Sequence, residues 1–119
     1  MITQDTRQGY TGPVSNLPNL RGACARFSRD GEARSYGDAH LVARWCLGLF
    51  GAEPVHCARC GVPDTCRTLH AALDWQSAPT ESLCTDYRNR IYSARPDRDY
   101  MPLCGSCHAR YDRSAWKRS

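Results

Sequence analysis

Two cysteine pairs with identical spacing limit what this chain can fold into more than any other feature. Two residues separate Cys57 from Cys60 and Cys104 from Cys107, and 43 residues lie between the pairs. Two intervening residues let both thiolates of a pair face one ion, and Gly61 after the first pair eases the tight turn. Four thiolates complete a closed tetrahedral set. The pattern therefore predicts one structural Zn²⁺ site that joins two distant segments.

Other uses of paired cysteines remain open but fit the sequence less well. A redox pair of the thioredoxin type is expected within a βαβ unit, and no such pattern surrounds either pair. An iron–sulfur cluster would also take four thiolates, although the glycine chemistry and basic charge favour zinc. Disulfides need an oxidising compartment, whereas the N-terminus MITQDTRQGY shows no signal peptide and no apolar stretch is long enough to span a bilayer. We therefore expect a cytoplasmic protein.

The chain is short enough that one domain is the default, and a small domain usually needs a staple. Residues 1–34 hold scattered Gly, Pro and Asn with isolated apolar residues, so we predict an irregular N-terminal arm there and a zinc-binding domain over 35–119. Residues 36–50 are the best helix candidate, with Asp38 as N-cap and Gly51 as stop. The apolar face predicted for this helix consists of Leu41, Val42, Trp45, Leu49 and Phe50.

The remaining segments give weaker signals. Residues 67–76 fit a strand or a helix equally well, and residues 77–99 suit a long loop or a short strand pair. Residues 100–118 predict the second cysteine turn followed by a short helix. The other four cysteines are interpreted as free thiols, with Cys46 buried on the helix face and Cys66 a weaker competitor for the metal; the remaining two are Cys24 and Cys84.

A second cluster of polar residues follows the last cysteine. If residues 107–113 are helical, His108 and Asp112 share one face, one turn apart. With His70 or Asp74 facing them, these groups could bind a catalytic Mg²⁺ or Mn²⁺, and a histidine base could activate water for phosphodiester hydrolysis. The structural alternative is that His108 caps the helix and Asp112 pairs with a neighbouring arginine.

The charge balance is consistent with a polyanionic partner. The chain has a net charge of +4, with 15 Arg and a single Lys. Phosphate contacts supply most of the non-specific affinity of proteins for DNA. DNA is therefore an expected partner, although an arginine-rich, solvated surface in a GC-rich genome would look the same.

The order of these motifs resembles a known family. A helix beginning YGDAH is followed by CARCG, ALDW, IYS and DYMPLCGSCHARYD, over about residues 35–113. The pattern is similar to that of the zinc-containing HNH endonuclease-like proteins of actinobacteria and their phages. The resemblance implies a ββα-metal fold, in which a β-hairpin and a helix flank a catalytic ion and the zinc knuckles support both, and it implies metal-dependent DNA cleavage. By position, His108 corresponds to the final metal-binding histidine, Asp112 to the carboxylate one turn later and Asp74 to the aspartate of the first strand.

The chain departs from this family at the general base. Where the family reads Asp-His, this chain reads Asp74-Trp75, and tryptophan cannot take a proton from water. His70 is the alternative base, ten residues after Cys60, but neither alignment keeps both the base and the metal ligand before it.

The full expectation is therefore a small α+β protein with an HNH or treble-clef-like ββα-metal core, a four-cysteine zinc staple, an N-terminal helix and an irregular arm. Its expected activity is divalent-metal-dependent DNA cleavage, including nicking, in a bacterial host cell. The alternatives are a catalytically inactive HNH fold that binds DNA or protein, and a zinc scaffold that binds only a phage or host protein.

Overall fold

The structure is a computed structural model that describes the backbone of residues 16–118 and the side chains of residues 19–113. Over this range the chain is a small α+β protein with three α-helices and two two-stranded sheets, which confirms the coarse fold class. No helix in residues 16–118 is long and apolar enough to cross a membrane. The elements, in chain order, are α1 (Asn16–Asp30), α2 (Tyr36–Cys46), β1 (Leu69–Leu73), a 3₁₀ turn (Thr80–Ser82), β2 (Leu83–Thr85), β3 (Ile91–Ser93), β4 (Tyr100–Cys104) and α3 (Gly105–Arg118).

The first helix lies where the sequence predicted an irregular arm, so that prediction is wrong for residues 16–30. Leu20 and Ala23 are buried three residues apart, on a face that packs against α2. Pro18 lies in the first turn, where its missing N–H interrupts no helical hydrogen bond. Arg26 of α1 also donates two hydrogen bonds of 2.6 and 2.7 Å to Asp38 of α2. The predicted arm over residues 1–15 lies outside the described part of the chain.

The second helix is shorter than predicted and has a different cap. Ser35, not Asp38, is the N-cap, and its Oγ accepts the Asp38 N–H at 3.1 Å. The helix ends at Cys46, and Gly48 has a φ of 83° in the turn that follows. Trp45 is 37% exposed because it lies off the buried stripe of the helix, and Cys46 in the last turn is exposed, so their predicted burial is wrong. The buried residues of α2 are Ala39, Val42 and Ala43.

Residues 69–73, for which the sequence favoured neither strand nor helix, form β1. This strand pairs antiparallel with β4, with His70 opposite Leu103 and Leu73 opposite Tyr100. Side chains alternate between the two faces of a sheet. The face with Leu73 and Tyr100 packs against Ala43 of α2. The opposite face packs against α3, where Ala72, Leu103, Cys107 and Tyr111 belong to one buried cluster. The strand pair therefore lies between α2 and α3.

Strands β2 and β3 form a short antiparallel pair, which was one of the two alternatives for residues 77–99. The pair is tied to the larger sheet by Ser93, whose N–H donates to the Tyr100 hydroxyl at 3.1 Å. The Ser93 hydroxyl donates to the buried carboxylate of Asp99 at 2.5 Å, just before β4 begins. These bonds fix the direction in which the chain enters β4 and then α3.

Candidate metal centre and the adjoining histidine cluster

The first cysteine pair lies on a tight hairpin turn. The Cys57 N–H donates to Val62 O at 2.9 Å, and the Gly61 N–H donates to Cys57 O at the same distance. Gly61 has a φ of 80°, the left-handed conformation that a glycine adopts without steric cost, as its position after Cys60 predicted. The Ala58 N–H donates to Pro102 O at 2.8 Å and thereby attaches this turn to β4.

The second pair spans the junction between strand and helix. Cys104 is the last residue of β4, and Cys107 lies in the first turn of α3. The sulfur atoms of all four cysteines lie within 4.8 Å of one another, and Cys60 is the exposed member of the set. The distance between Cys60 Sγ and Cys104 Sγ is 3.8 Å. A tetrahedral ion with metal–sulfur bonds of about 2.3 Å places its sulfurs about 3.8 Å apart. The cluster could hold one metal ion, as the cysteine spacing predicted.

Backbone N–H groups stabilise thiolates in this cluster. Cys57 Sγ accepts the N–H of Cys60 at 3.5 Å and that of Cys104 at 3.4 Å. Burial alone would raise the pKa of Cys57, but these and other backbone hydrogen bonds outweigh it and lower the pKa to about 6. A backbone hydrogen bond from Cys107 likewise lowers the pKa of Cys104. Burial and the neighbouring sulfurs raise the pKa of Cys107 to about 11. Backbone hydrogen bonds thus favour the thiolate at Cys57 and Cys104, which is the form in which cysteine binds a metal.

The other four cysteines are not part of this set. Within the described residues, the four sulfurs are the single group of three or more His, Cys, Asp or Glu ligand atoms close enough to hold an ion. Cys66, which the sequence left as a competing ligand, is exposed and outside the group. Cys24 and Cys84 are partly buried free thiols.

Beside the metal centre, the structure brings three of the polar residues singled out in the sequence together. His108 and Asp112 lie on one face of α3, as their spacing predicted, with 3.1 Å between His108 Nε2 and Asp112 Oδ2. The ring of His70, on β1, meets the ring of His108 edge to face with 5.3 Å between centroids. Partial burial, followed by the charges of His108 and Arg44, lowers the pKa of His70 and favours its neutral form.

Asp74, predicted as a ligand of a catalytic ion, lies in the turn after β1. Its Oδ1 accepts the Ser77 N–H at 3.2 Å and the Tyr111 hydroxyl at 3.3 Å. These bonds organise the turn after β1 and connect it to α3. Among the described residues, neither Asp74 nor the pair of His108 and Asp112 belongs to a group of three metal-ligand atoms.

Trp75, the residue after Asp74, contacts the same cluster. Its indole Nε1–H donates to Asp112 Oδ1 at 3.3 Å, so the two oxygens of this carboxylate face Trp75 and His108. The sequence did not predict this contact, because 37 residues separate the partners. It also missed Tyr111, whose hydroxyl accepts the Gln76 N–H at 3.2 Å. Of the two contacts of Asp112, the sequence could predict only the one with His108, from their i, i+4 spacing in α3.

Comparisons with protein-family models, with curated proteins and with solved structures give no match for this chain.

Proposed function

We propose that this chain is a zinc-stabilised ββα module of the HNH type that binds the DNA backbone without cleaving it. The zinc assignment is supported by the four converging sulfurs and their 3.8 Å spacing, and a site closed by four thiolates leaves no open position for a reaction. The ββα assignment is supported by the antiparallel pair of β1 and β4, with α3 following directly and packing on one face.

The observation that carries the binding proposal is the uneven pairing of arginines with carboxylates. Apart from Arg21 and Arg88, the described arginines in α1, in the segment between α1 and α2, and around β2 and β3 form ion pairs with aspartates; they are Arg26, Arg29, Arg34, Arg90, Arg95 and Arg98. The segments that carry the cysteines hold four further arginines against two carboxylates, Asp64 and Asp112. We call Arg59, Arg67, Arg110 and Arg113 the arginine surface.

All four members of the arginine surface are exposed, and none forms an ion pair within the described residues. Arg59 lies over the ring of Tyr111, with 5.5 Å from Cζ to the ring centroid, and Arg110 interacts with the sulfur of Cys107. The guanidinium groups of Arg67 and Arg113 have no such contact in the described structure and are available to phosphates, which accept bidentate hydrogen bonds from arginine. Because the metal centre holds the segments that carry them, the charges keep a defined arrangement.

We propose that the protein does not cleave DNA because the two candidate carboxylates already bond to other residues. Asp112 is engaged by the Trp75 indole and by His108, and Asp74 is engaged by Tyr111 and Ser77. A catalytic divalent ion would need these oxygens for itself. Trp75 in addition stands where the resembled family has its general base.

The binding proposal is tested with Arg67→Gln/Arg113→Gln and a fluorescein-labelled DNA duplex. These two arginines have no ion-pair partner in the described structure. If each contacts one phosphate, the double variant should lower the slope of log affinity against log salt by about 1.8, since each phosphate contact contributes about 0.9. Fluorescence anisotropy over a series of salt concentrations measures the slope.

The matched control is Arg29→Gln/Arg34→Gln. It removes the same charge, but from two arginines that both pair with Asp30. We expect a much smaller change in the slope for the control than for the arginine-surface variant. Equal slopes for both double variants, or no binding by the wild type at low salt, would overturn the proposal.

A second candidate function is HNH-type hydrolysis of DNA with His70 as general base. The observation in its favour is the contact of His70 with His108, together with the lowered pKa of the exposed His70 ring. Purified protein would be incubated with supercoiled plasmid and with single-stranded DNA, in the presence of Mg²⁺ or Mn²⁺. Nicking by the wild type that disappears in both His70→Ala and His108→Ala would establish hydrolysis and overturn the non-catalytic proposal. Intact DNA in the wild-type reaction would instead exclude hydrolysis.

A further inference from the structure

The tip of the hairpin between β2 and β3 carries the most exposed large hydrophobic residue of the described part of the chain. Tyr87 is 89% exposed, whereas an aromatic ring normally contributes to folding by being buried. Residues 86–90, which we call the hairpin tip, read Asp-Tyr-Arg-Asn-Arg. Within the described structure the Tyr87 side chain has no hydrogen bond, ion pair or ring contact. The ring is therefore free to contact a ligand without disturbing the fold.

The backbone that presents Tyr87 is held firmly. Asp86 Oδ1 accepts the N–H groups of Arg88 and Arg90 at 2.9 and 2.8 Å, and Oδ2 accepts Arg90 Nε–H at 2.8 Å. The side chain of Asp86 is 7% exposed, so these bonds are largely shielded from water. Asn89 has a φ of 61°, a conformation that asparagine tolerates better than most residues. The turn is therefore closed by Asp86, Asn89 and Arg90 without any contribution from the Tyr87 ring.

Of the two arginines at the tip, one forms an ion pair and the other does not. Arg90 is committed to Asp86, and its guanidinium also lies 4.2 Å from the ring centroid of Tyr36. Arg88 is exposed, and its side chain forms no ion pair within the described residues. The tip thus carries an exposed aromatic residue and an unpaired cation at adjacent positions of the chain. This is the combination with which proteins bind single-stranded nucleic acids, because a base stacks on the ring while the cation meets a phosphate.

We propose that the hairpin tip binds unpaired nucleotides, with Tyr87 stacking on one base and Arg88 contacting an adjacent phosphate. This inference rests on the proposed nucleic-acid function and adds to it a preference for single-stranded segments. The braced turn fixes the backbone that carries the ring before binding, so little backbone conformational entropy is lost when the base stacks.

The test compares Tyr87→Ala with Tyr87→Phe, on a labelled oligothymidine strand and on a labelled duplex of equal length. Tyr87→Ala should weaken single-strand binding roughly 5- to 150-fold, the range that corresponds to one stacked base, and leave duplex binding nearly unchanged. Tyr87→Phe keeps the ring and should bind both ligands like the wild type. Arg88→Gln should lower the single-strand salt slope by about 0.7. Thermal unfolding of each variant verifies that the hairpin still folds.

Asp86→Ala tests whether binding needs the braced turn as well as the aromatic ring. It keeps Tyr87 but removes the acceptor that braces the turn, so single-strand binding should weaken although the aromatic ring is still present. Single-strand affinity that is unchanged in Tyr87→Ala, while the arginine-surface variant still shows the lowered salt slope on duplex DNA, would overturn this inference alone and leave the tip to a protein partner. A wild-type protein that binds neither ligand at low salt would instead overturn the proposed function, and this inference with it.

Discussion

Replacing Cys57 by serine is expected to unfold the half of the protein that contains β1, β4 and α3. The Cys57 sulfur is one of the four in the cluster, and it also accepts the N–H groups of Cys60 and Cys104 from both cysteine pairs. Structural zinc contributes about 10–16 kcal/mol of apparent binding free energy in small zinc domains. The net stability of a whole domain is about 5–15 kcal/mol. Loss of the ion therefore removes an amount as large as the entire free energy of unfolding.

The matched control is Cys66→Ser. It makes the same chemical change six residues after Cys60, at an exposed thiol outside the sulfur cluster, so we expect a change within about 0.5 kcal/mol. The measurements are zinc per chain by mass spectrometry and cooperative thermal unfolding by circular dichroism. Wild type and Cys66→Ser should each carry one zinc per chain and unfold cooperatively, whereas Cys57→Ser should do neither. A Cys57→Ser protein that retains one zinc and the wild-type melting temperature would refute the reasoning, as would a metal-free wild type that melts cooperatively.

Two further predictions concern the stability of the folded protein. Tyr111→Phe removes the hydroxyl that donates to Asp74 and accepts the Gln76 N–H. It should lower the free energy of unfolding in urea by about 1 kcal/mol. An unchanged urea midpoint would contradict the role given to these two hydrogen bonds. Burial lowers the pKa of His40 below its ordinary 6.5, so the unfolded chain takes up the proton more readily than the folded protein. The free energy of unfolding should therefore fall as the pH drops through 6.5 towards the folded-state pKa. His40→Gln should make the decline in melting temperature between about pH 7.5 and pH 5.5 shallower, and parallel declines in both proteins would rule this out.

The metal cluster was predictable from sequence because its information is local. The spacing of each cysteine pair and the glycine after Cys60 describe a turn that is complete within a few residues. The face shared by His108 and Asp112 was predictable for the same reason, since four residues make one helical turn. The helix at residues 16–30 was missed because Pro18 and Gly22 obscured a pattern that becomes clear through burial of Leu20 and Ala23 against α2.

What the sequence by itself determined is which atoms could bind a metal and which side chains share a helical face. Only the tertiary structure decided that residues 69–73 form a strand, because pairing with β4 outweighs their ambiguous local preference. It also decided that Asp112 meets the Trp75 indole, that Asp74 meets Tyr111 and that Tyr87 is exposed at a braced hairpin tip. The physical reason is that each of these outcomes depends on how separate segments pack or pair, or on which side chains nothing else covers. Periodicity along the chain does not encode such relationships.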